Sequence, residues 1–436
     1  MKNLSVYIHI PFCVRKCLYC DFLSFPTDEG KAGNTVGICG SLNSSNPEKC
    51  SAGQDILSLE SYVNLLLREI KEQSLFYKGH RVISVFLGGG TPSILKEGQI
   101  AALMEQIKFC YNLDESAEIT IEMNPGTVTD GKLREYITHG INRVSIGLQS
   151  TDDGELQRIG RIHDYETFLH TYQMARDAGF TNINVDLMSA LPGQSEASYY
   201  RTLERVTALA PEHISAYSLI LEEGTPLYEN RESYVFPSEE EERQMYLMTR
   251  RYLEEQGYHR YEISNYAKEG YECRHNKVYW QRGDYVGFGL GAASMVADCR
   301  WSNPRDFGAY ETYIDNMCYL SSETHACSIQ SIADDTCEAP CTRNHDTCQP
   351  QFAGFEPQSL TVPEQMEEFM FLGLRMMCGV SAADFYQKFG KSLEEVYGEV
   401  LEKFCAQGLL AREKDRVRLT DAGIDVSNYV MAEFLF

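Results

Sequence analysis

YIHIPFCVRKCLYCDFLSF, residues 7 to 25, puts Cys13, Cys17 and Cys20 in a C-x3-C-x2-C spacing directly after an alternating apolar run. Thiols that close together on one loop can hold three corners of an iron–sulfur cube. With a fourth ligand from elsewhere, they could instead hold zinc. Three ligands leave a metal with a vacancy, which is where a small molecule binds. The spacing alone leaves both metals open.

The apolar run before the loop reads as a strand over 4–10, and five more candidates follow at 82–87, 117–123, 142–148, 181–188 and 213–220. Helical patterns separate them. In 58–76, for example, Leu59, Tyr62, Val63, Leu66 and Ile70 recur at helical spacing. Six strands alternating with helices are the pattern of repeated βα units. They predict an α/β fold, a partial (β/α)6 TIM-like barrel whose functional groups sit on the loops after the strands. The cysteine loop follows the first strand, and Gly88, Gly89, Gly90, Thr91 and Pro92 follow the second. Two specialised loops thus fall at the same end of the barrel.

Segments 26–55 and about 318–359 are rich in Ser, Asn, Gly, Pro and Asp, without hydrophobic period, and read as polar insertions. Beyond them the pattern returns to helices with a short strand pair around 409–419, an order resembling a small winged-helix unit. The expected division is a barrel and its extension over 1–300, a connecting segment over 301–359 and a helical, winged-helix-like C-terminal domain over 360–436. Cys39, Cys50, Cys318, Cys327, Cys337, Cys341 and Cys348 fall in the insertions with no defensible metal spacing. Cys273 reads as a buried small hydrophobe. The run Glu239 to Glu242 after Ser238 reads as a helix start, where negative charge suits the dipole.

A net charge of -24 and a pI near 4.9 argue against a nucleic-acid partner. The first residues lack the plan of a signal peptide, and no stretch offers the ~18 apolar residues of a spanning helix. Fifteen cysteines, an odd count, then fit reduced thiols and a cytoplasmic protein.

Tyr7, His9, Pro11 and the three cysteines, followed by GGGTP, resemble the radical S-adenosylmethionine (SAM) superfamily. EMNP (122–125), SIGLQS (145–150), GRIHD (160–164), NVDLMSALPGQ (184–194), EISNYA (262–267) and HNKVYW (275–280) narrow the likeness. They resemble the branch that holds the oxygen-independent coproporphyrinogen dehydrogenases and the HemW haem chaperones. The resemblance implies a [4Fe-4S] cluster on Cys13, Cys17 and Cys20, with SAM on the fourth iron. It implies a SAM or second-ligand pocket of Tyr7, Gly89, Gly90, Thr91, Glu122, Gln149, Arg161 and Asp186. Gly89 and Gly90 would let the backbone approach SAM.

Two functions follow from that branch. The dehydrogenases carry a further cysteine two residues beyond the third ligand, where this chain has Phe22. That points to a chaperone, which binds haem and hands it to an acceptor protein, a membrane-associated acceptor included, although no stretch of the chain reads as a membrane segment. HNKVYW resembles the segment those chaperones place near haem, making His275 a candidate axial ligand and Tyr279 and Trp280 candidate packing surfaces. His9 reads as structural. The other function is radical decarboxylation of coproporphyrinogen propionates.

Overall fold

The structure, a computed structural model, describes residues 1–27, 35–37, 56–317 and 357–436. The seven insertion cysteines lie outside the described residues. The eight within them are all free thiols.

Six strands stand where the hydrophobic pattern placed them: β1 (Lys2–Ile10), β2 (His80–Gly89), β3 (Leu113–Met123), β4 (Arg143–Gln149), β5 (Ile183–Ser189) and β6 (His213–Ser218). They pair in parallel in sequence order. The sheet does not close on itself. Past β6 it continues antiparallel through Asn265–Ala267 (β8) and His259–Arg260 (β7). Past β1 it takes in a parallel strand, Tyr285–Phe288 (β9), and then antiparallel Ala293–Val296 (β10), Cys299–Ser302 (β11) and Gln358–Ser359 (β12). The result is one sheet of twelve strands around an open trough.

Alternation along the strands separates two environments. Val6, Ile8, Val85, Leu87, Ile121, Val144, Ile146, Val185, Leu187 and Ile214 face the helices and are fully buried. The opposite face is polar and layered. Its floor is Ser5, Ser84, Glu118, Arg143, Asn184 and His213, all buried. Nearer the carboxy ends, Tyr7, Phe86, Glu122, Asp186 and Met188 are partly accessible and Tyr217 is 39 % exposed. The trough is therefore open at the end where the loops converge.

The helix read in 58–76 spans Leu59–Gln73 and tightens into a 3-10 turn, Ser74–Phe76. Ser58 caps it by accepting from Ser61 N at 3.0 Å. The glutamate run opens a helix, Glu239–Glu255, as expected, and Ser238 and Glu241 form a capping box at its start. No described helix is long and apolar enough to cross a membrane.

The segment assigned by sequence to a connection from 301 onward is, in its described part, barrel. Trp301, and Tyr310, Tyr313, Ile314 and Met317 of a helix over 307–317, belong to the first hydrophobic core. Buried Glu69 fastens that helix by accepting from Tyr310 Oη at 2.6 Å, Asn303 Nδ2 at 2.7 Å and Gly289 N at 2.8 Å.

The C-terminal unit has its own core and a three-stranded antiparallel sheet, Val380–Ser381, Arg416–Leu419 and Leu410–Glu413. It docks on the barrel through Arg282–Glu368 (2.8 Å), Arg375 over the Trp280 ring (4.3 Å) and Met377 N to Tyr261 O (3.0 Å).

Tyr62 joins the first helix to the functional end of the sheet. Its hydroxyl donates to His9 O at 2.7 Å and accepts from Leu290 N at 3.0 Å. Tyr62→Phe strands both buried backbone groups and is expected to cost about 1–3 kcal/mol. Urea unfolding should show a lower midpoint at unchanged slope.

Candidate functional site

Ile10 ends β1, and the backbone then enters the cysteine loop in a fixed direction. Gly90 N donates to Ile10 O at 2.8 Å and Thr91 N to Phe12 O at 2.7 Å, so the β1–β2 ladder runs on past the strands into both loops. A Cβ on Gly90 would sit 2.6 Å from Phe12 O, and one on Gly89 (φ +107°) would overlap the His9 ring. The two glycines thus have a task within the protein itself, close approach of the turn to the base of the cysteine loop.

The far side of the loop is tied as well. Phe12–Cys13 pairs with Phe25–Pro26. Leu18 N donates to Ile159 O (3.0 Å), Arg15 Nη2 to Gly160 O (3.0 Å) and Leu227 N to Leu18 O (2.9 Å). His9 Nε2 donates to Leu23 O at 2.8 Å, which leaves Nδ1 to accept from Tyr7 Oη at 2.9 Å. His9 is therefore structural, and burial pushes its pKa down.

A chain of side-chain bonds runs around the thiols. Thr91 Oγ1 donates to Cys13 Sγ (3.4 Å), Asn124 Nδ2 to Thr91 Oγ1 (2.8 Å), Arg161 Nη2 to Asn124 Oδ1 (2.8 Å) and Arg161 Nη1 to Cys17 Sγ (3.5 Å). Four loops, those after β1, β2, β3 and β4, are joined by it. Arg161 Nε is buried and unpartnered, beside a cleft lined by Cys17, Asn124, Gly160 and His163. Donors aimed at sulfur suit thiolates, whose charge they stabilise.

The thiols fit a cluster. Burial pushes Cys13 and Cys20 up, with neighbouring Cys17 adding to it, so the three lie within reach of one another's charge. Yet no group of three or more His, Cys, Asp or Glu among the described residues is close enough to hold a single ion. Tetrahedral zinc holds its thiolates roughly 3.8 Å apart, given Zn–S bonds near 2.3 Å. Separate irons of a cluster spread them more widely.

The other pocket residues line the trough beside this loop. Glu122 Oε2 accepts from Gly89 N at 3.1 Å, and burial followed by repulsion from Asp186 pushes its pKa up to about 8. Asp186 accepts from Ser145 Oγ (3.1 Å) and Asn184 Nδ2 (2.8 Å), and burial raises its pKa too. Gln149 ends β4 in the left-handed region (φ +72°), at an irregularity in the β4–β5 register. Such a conformation is uncommon for a residue with a side chain.

His275 is 1 % exposed, stacked on Phe86 at 5.1 Å, with Nδ1 bonded to Ser84 Oγ and Nε2 to Tyr279 Oη, both at 2.9 Å. Burial pushes its pKa down to about 3. Each ring nitrogen has a hydrogen-bond partner in this structure. Trp280 lies under Arg375 at the seam with the C-terminal unit, whereas Tyr279 reaches the trough near Tyr7. Asn124 and His163 are site residues that sequence reasoning did not single out. Asn124 lies inside EMNP, two positions after Glu122 and just past the end of its strand, and that place on the loop after the strand was the available signal.

Comparison with known proteins bears on this geometry. The model of the radical SAM superfamily matches residues 7–206 and that of the HemN C-terminal domain matches 360–426. The "Heme chaperone HemW" of Bacillus subtilis is 32 % identical over 434 residues, covering 99 % of both chains. The chain belongs to the HemW family. HemW of Escherichia coli is 36 % identical over 296 residues, covering 68 % of this chain and 71 % of its own. The solved coproporphyrinogen III oxidase (HemN) of Escherichia coli, described as a radical SAM enzyme, shares the fold. It superposes with a TM-score of 0.74 over 99 % of this chain and 90 % of its own, at 21 % identity. The partial barrel with its appended helical domain is thus the fold of this HemW-family chain.

A carboxyl whose folded pKa is raised holds its proton in the folded state across a window where the unfolded chain has released it. Its contribution to stability is full below the unfolded value and lost as pH rises through the folded one. For Glu122 that window runs from about 4.5 to about 8. The ligand-free protein should lose melting temperature across it, and Glu122→Gln, which keeps an acceptor for Gly89 N, should flatten that decline by several degrees.

Proposed function

We propose that this HemW-family chain is a haem chaperone that carries a [4Fe-4S] cluster on Cys13, Cys17 and Cys20 and an exchangeable SAM, and that passes haem to an acceptor protein. The observation that carries the reading is the end-to-end match to a heme chaperone, against a resemblance to the coproporphyrinogen oxidase that extends to the fold alone. Phe22, 68 % exposed, occupies the place of the dehydrogenases' extra cysteine.

A cluster bound here would offer one iron to the amino and carboxylate groups of SAM and could supply an electron to its sulfonium. The protein's own part is binding and orientation. Thr91 and Arg161 donate to the thiolate sulfurs, and the unpartnered Arg161 Nε is a donor for an anionic ligand in the cleft. Glu122, once ionised, offers a carboxylate to an ammonium group. Gly89 N holds that carboxylate in place.

In the reconstituted protein under anaerobic conditions, Cys17→Ser should lose the iron–sulfur absorbance and most of the iron; a full complement of both would remove the ligand assignment. Haem titrated into the wild type should saturate near equimolar without turnover. Carbon dioxide release from coproporphyrinogen under reducing conditions, with no saturable haem binding, would instead establish the radical enzyme.

A further inference from the structure

Two residues of the proposed SAM pocket, Gln149 and Arg161, sit at either end of one segment, the loop after β4. Gln149 is in the left-handed region (φ +72°), a conformation that persists only where its surroundings fix it. Arg161 donates to Gly147 O as well as to Cys17 Sγ. Between them runs a short helix, Asp153–Arg158, and one of its side chains, Glu155, is only 2 % exposed.

Glu155 meets three partners at once. Its Oε2 accepts from Ser150 Oγ at 2.6 Å and from Gln194 Nε2 at 2.9 Å, and its Oε1 accepts from Ser198 Oγ at 2.6 Å. Ser150 is fully buried and follows Gln149 in the chain, so the carboxylate fixes the residue directly after the left-handed position. Gln194 closes the loop after β5, where it accepts from Leu191 N and donates to Met188 O, both at 3.3 Å. Ser198 lies in the first turn of the next helix, Glu196–Ala208. The backbone of the short helix serves the other end of the segment. Ile159 N donates to Glu155 O at 3.3 Å and Arg161 N to Leu156 O at 3.0 Å, which ends the helix and delivers Arg161 to the thiols.

All three side-chain donors are neutral, and a carboxylate buried on neutral donors alone is costly to desolvate. In return its two oxygens tie together three points that an apolar side chain would leave independent. Groups that hold a binding constellation to within a fraction of an ångström are commonly one step removed from the ligand.

We propose that Glu155 is a positioning residue for SAM: through Ser150 and Gln194 it locks the loop after β4 to the loop after β5, and so sets Gln149 and Arg161 at the pocket. It acts through those partners and not on the ligand. The inference rests on the SAM reading of the pocket.

Equilibrium dialysis of SAM against the cluster-reconstituted full chain tests it, together with electron paramagnetic resonance of the reduced cluster with and without SAM. Glu155→Leu removes every acceptor. It is expected to keep the iron–sulfur absorbance and iron content, to weaken SAM about tenfold or more, and to blunt the change that SAM makes in the resonance. Ser150→Ala, which cuts only the link beside Gln149, should weaken SAM in the same direction by a smaller factor. Glu155→Gln should stay near wild type, since its amide oxygen can still accept from Ser150 and Gln194 while its nitrogen donates to Ser198 Oγ. Wild-type SAM affinity in both Glu155→Leu and Ser150→Ala would overturn the assignment, and so would loss of the cluster together with SAM, which marks a purely structural role. A wild type that holds its cluster and binds no SAM would overturn the SAM reading itself.

Discussion

The site depends on a backbone ladder that outlives its strands. Parallel pairing of β1 with β2 continues through Ile10 O and Phe12 O into the cysteine loop and the glycine turn, so the two loops cannot move independently. Only residues without a Cβ permit that approach. Once the turn is fixed, Thr91 meets Cys13, and the bonds through Asn124 and Arg161 to Cys17 register the loops after β3 and β4 against the same thiols. The placement of the thiols is set by scaffold hydrogen bonds as much as by the cysteine spacing.

The sheet divides stability from function between its faces. The helix-covered face is a continuous run of Val, Ile and Leu at or near zero exposure, and this apolar burial drives folding. The trough face buries Glu118, Arg143, Asn184 and His213, groups costly to desolvate unless paired. Pairing is extensive: Glu118 accepts from the backbone of Arg274 and His275, and Asn184 bridges His213, Ser145 and Asp186. It is not complete, since Arg143 Nε and Thr120 Oγ1, on register partners, have none. A closed barrel would fill its interior with branched apolar side chains. Here an open sheet keeps a polar, accessible interior and is held by its outer face.

Local pattern made much of this legible. All six strands, the helix from Leu59 and the capping box at Ser238 follow from period and end signals that neighbouring residues supply. The cysteine spacing and the glycine turn marked the functional end before any contact was known. What local pattern could not show was the state of a side chain set by distant partners. His275 reads as a candidate ligand in HNKVYW, and its Nδ1 is bonded to Ser84, 191 residues away in the chain. The boundary at residue 300 erred for the opposite reason. The polar run from 318 coloured the reading of 301–317, although Tyr310, Tyr313, Ile314 and Met317 recur at helical spacing and mark a buried face.

HNKVYW falls on the short helix Arg274–Trp280 and has a packing role of its own. Residues 275 and 279, one turn apart, share a face and look into the trough, where His275 stacks on Phe86 and Tyr279 approaches Tyr7. Trp280 turns away and takes the guanidinium of Arg375 from the C-terminal unit, while Arg375 also pairs with Glu262 of EISNYA at 3.7 Å. Glu262 is fully buried, so its charge needs that partner and the amide of Asn265. Both motifs therefore meet the same arginine, which is distant from either in sequence, and the C-terminal unit packs against this side of the barrel. Its acidic, capped helices need no nucleic acid to account for them. Its contacts through Arg375 and Glu368 tie it to the aromatic side of the barrel.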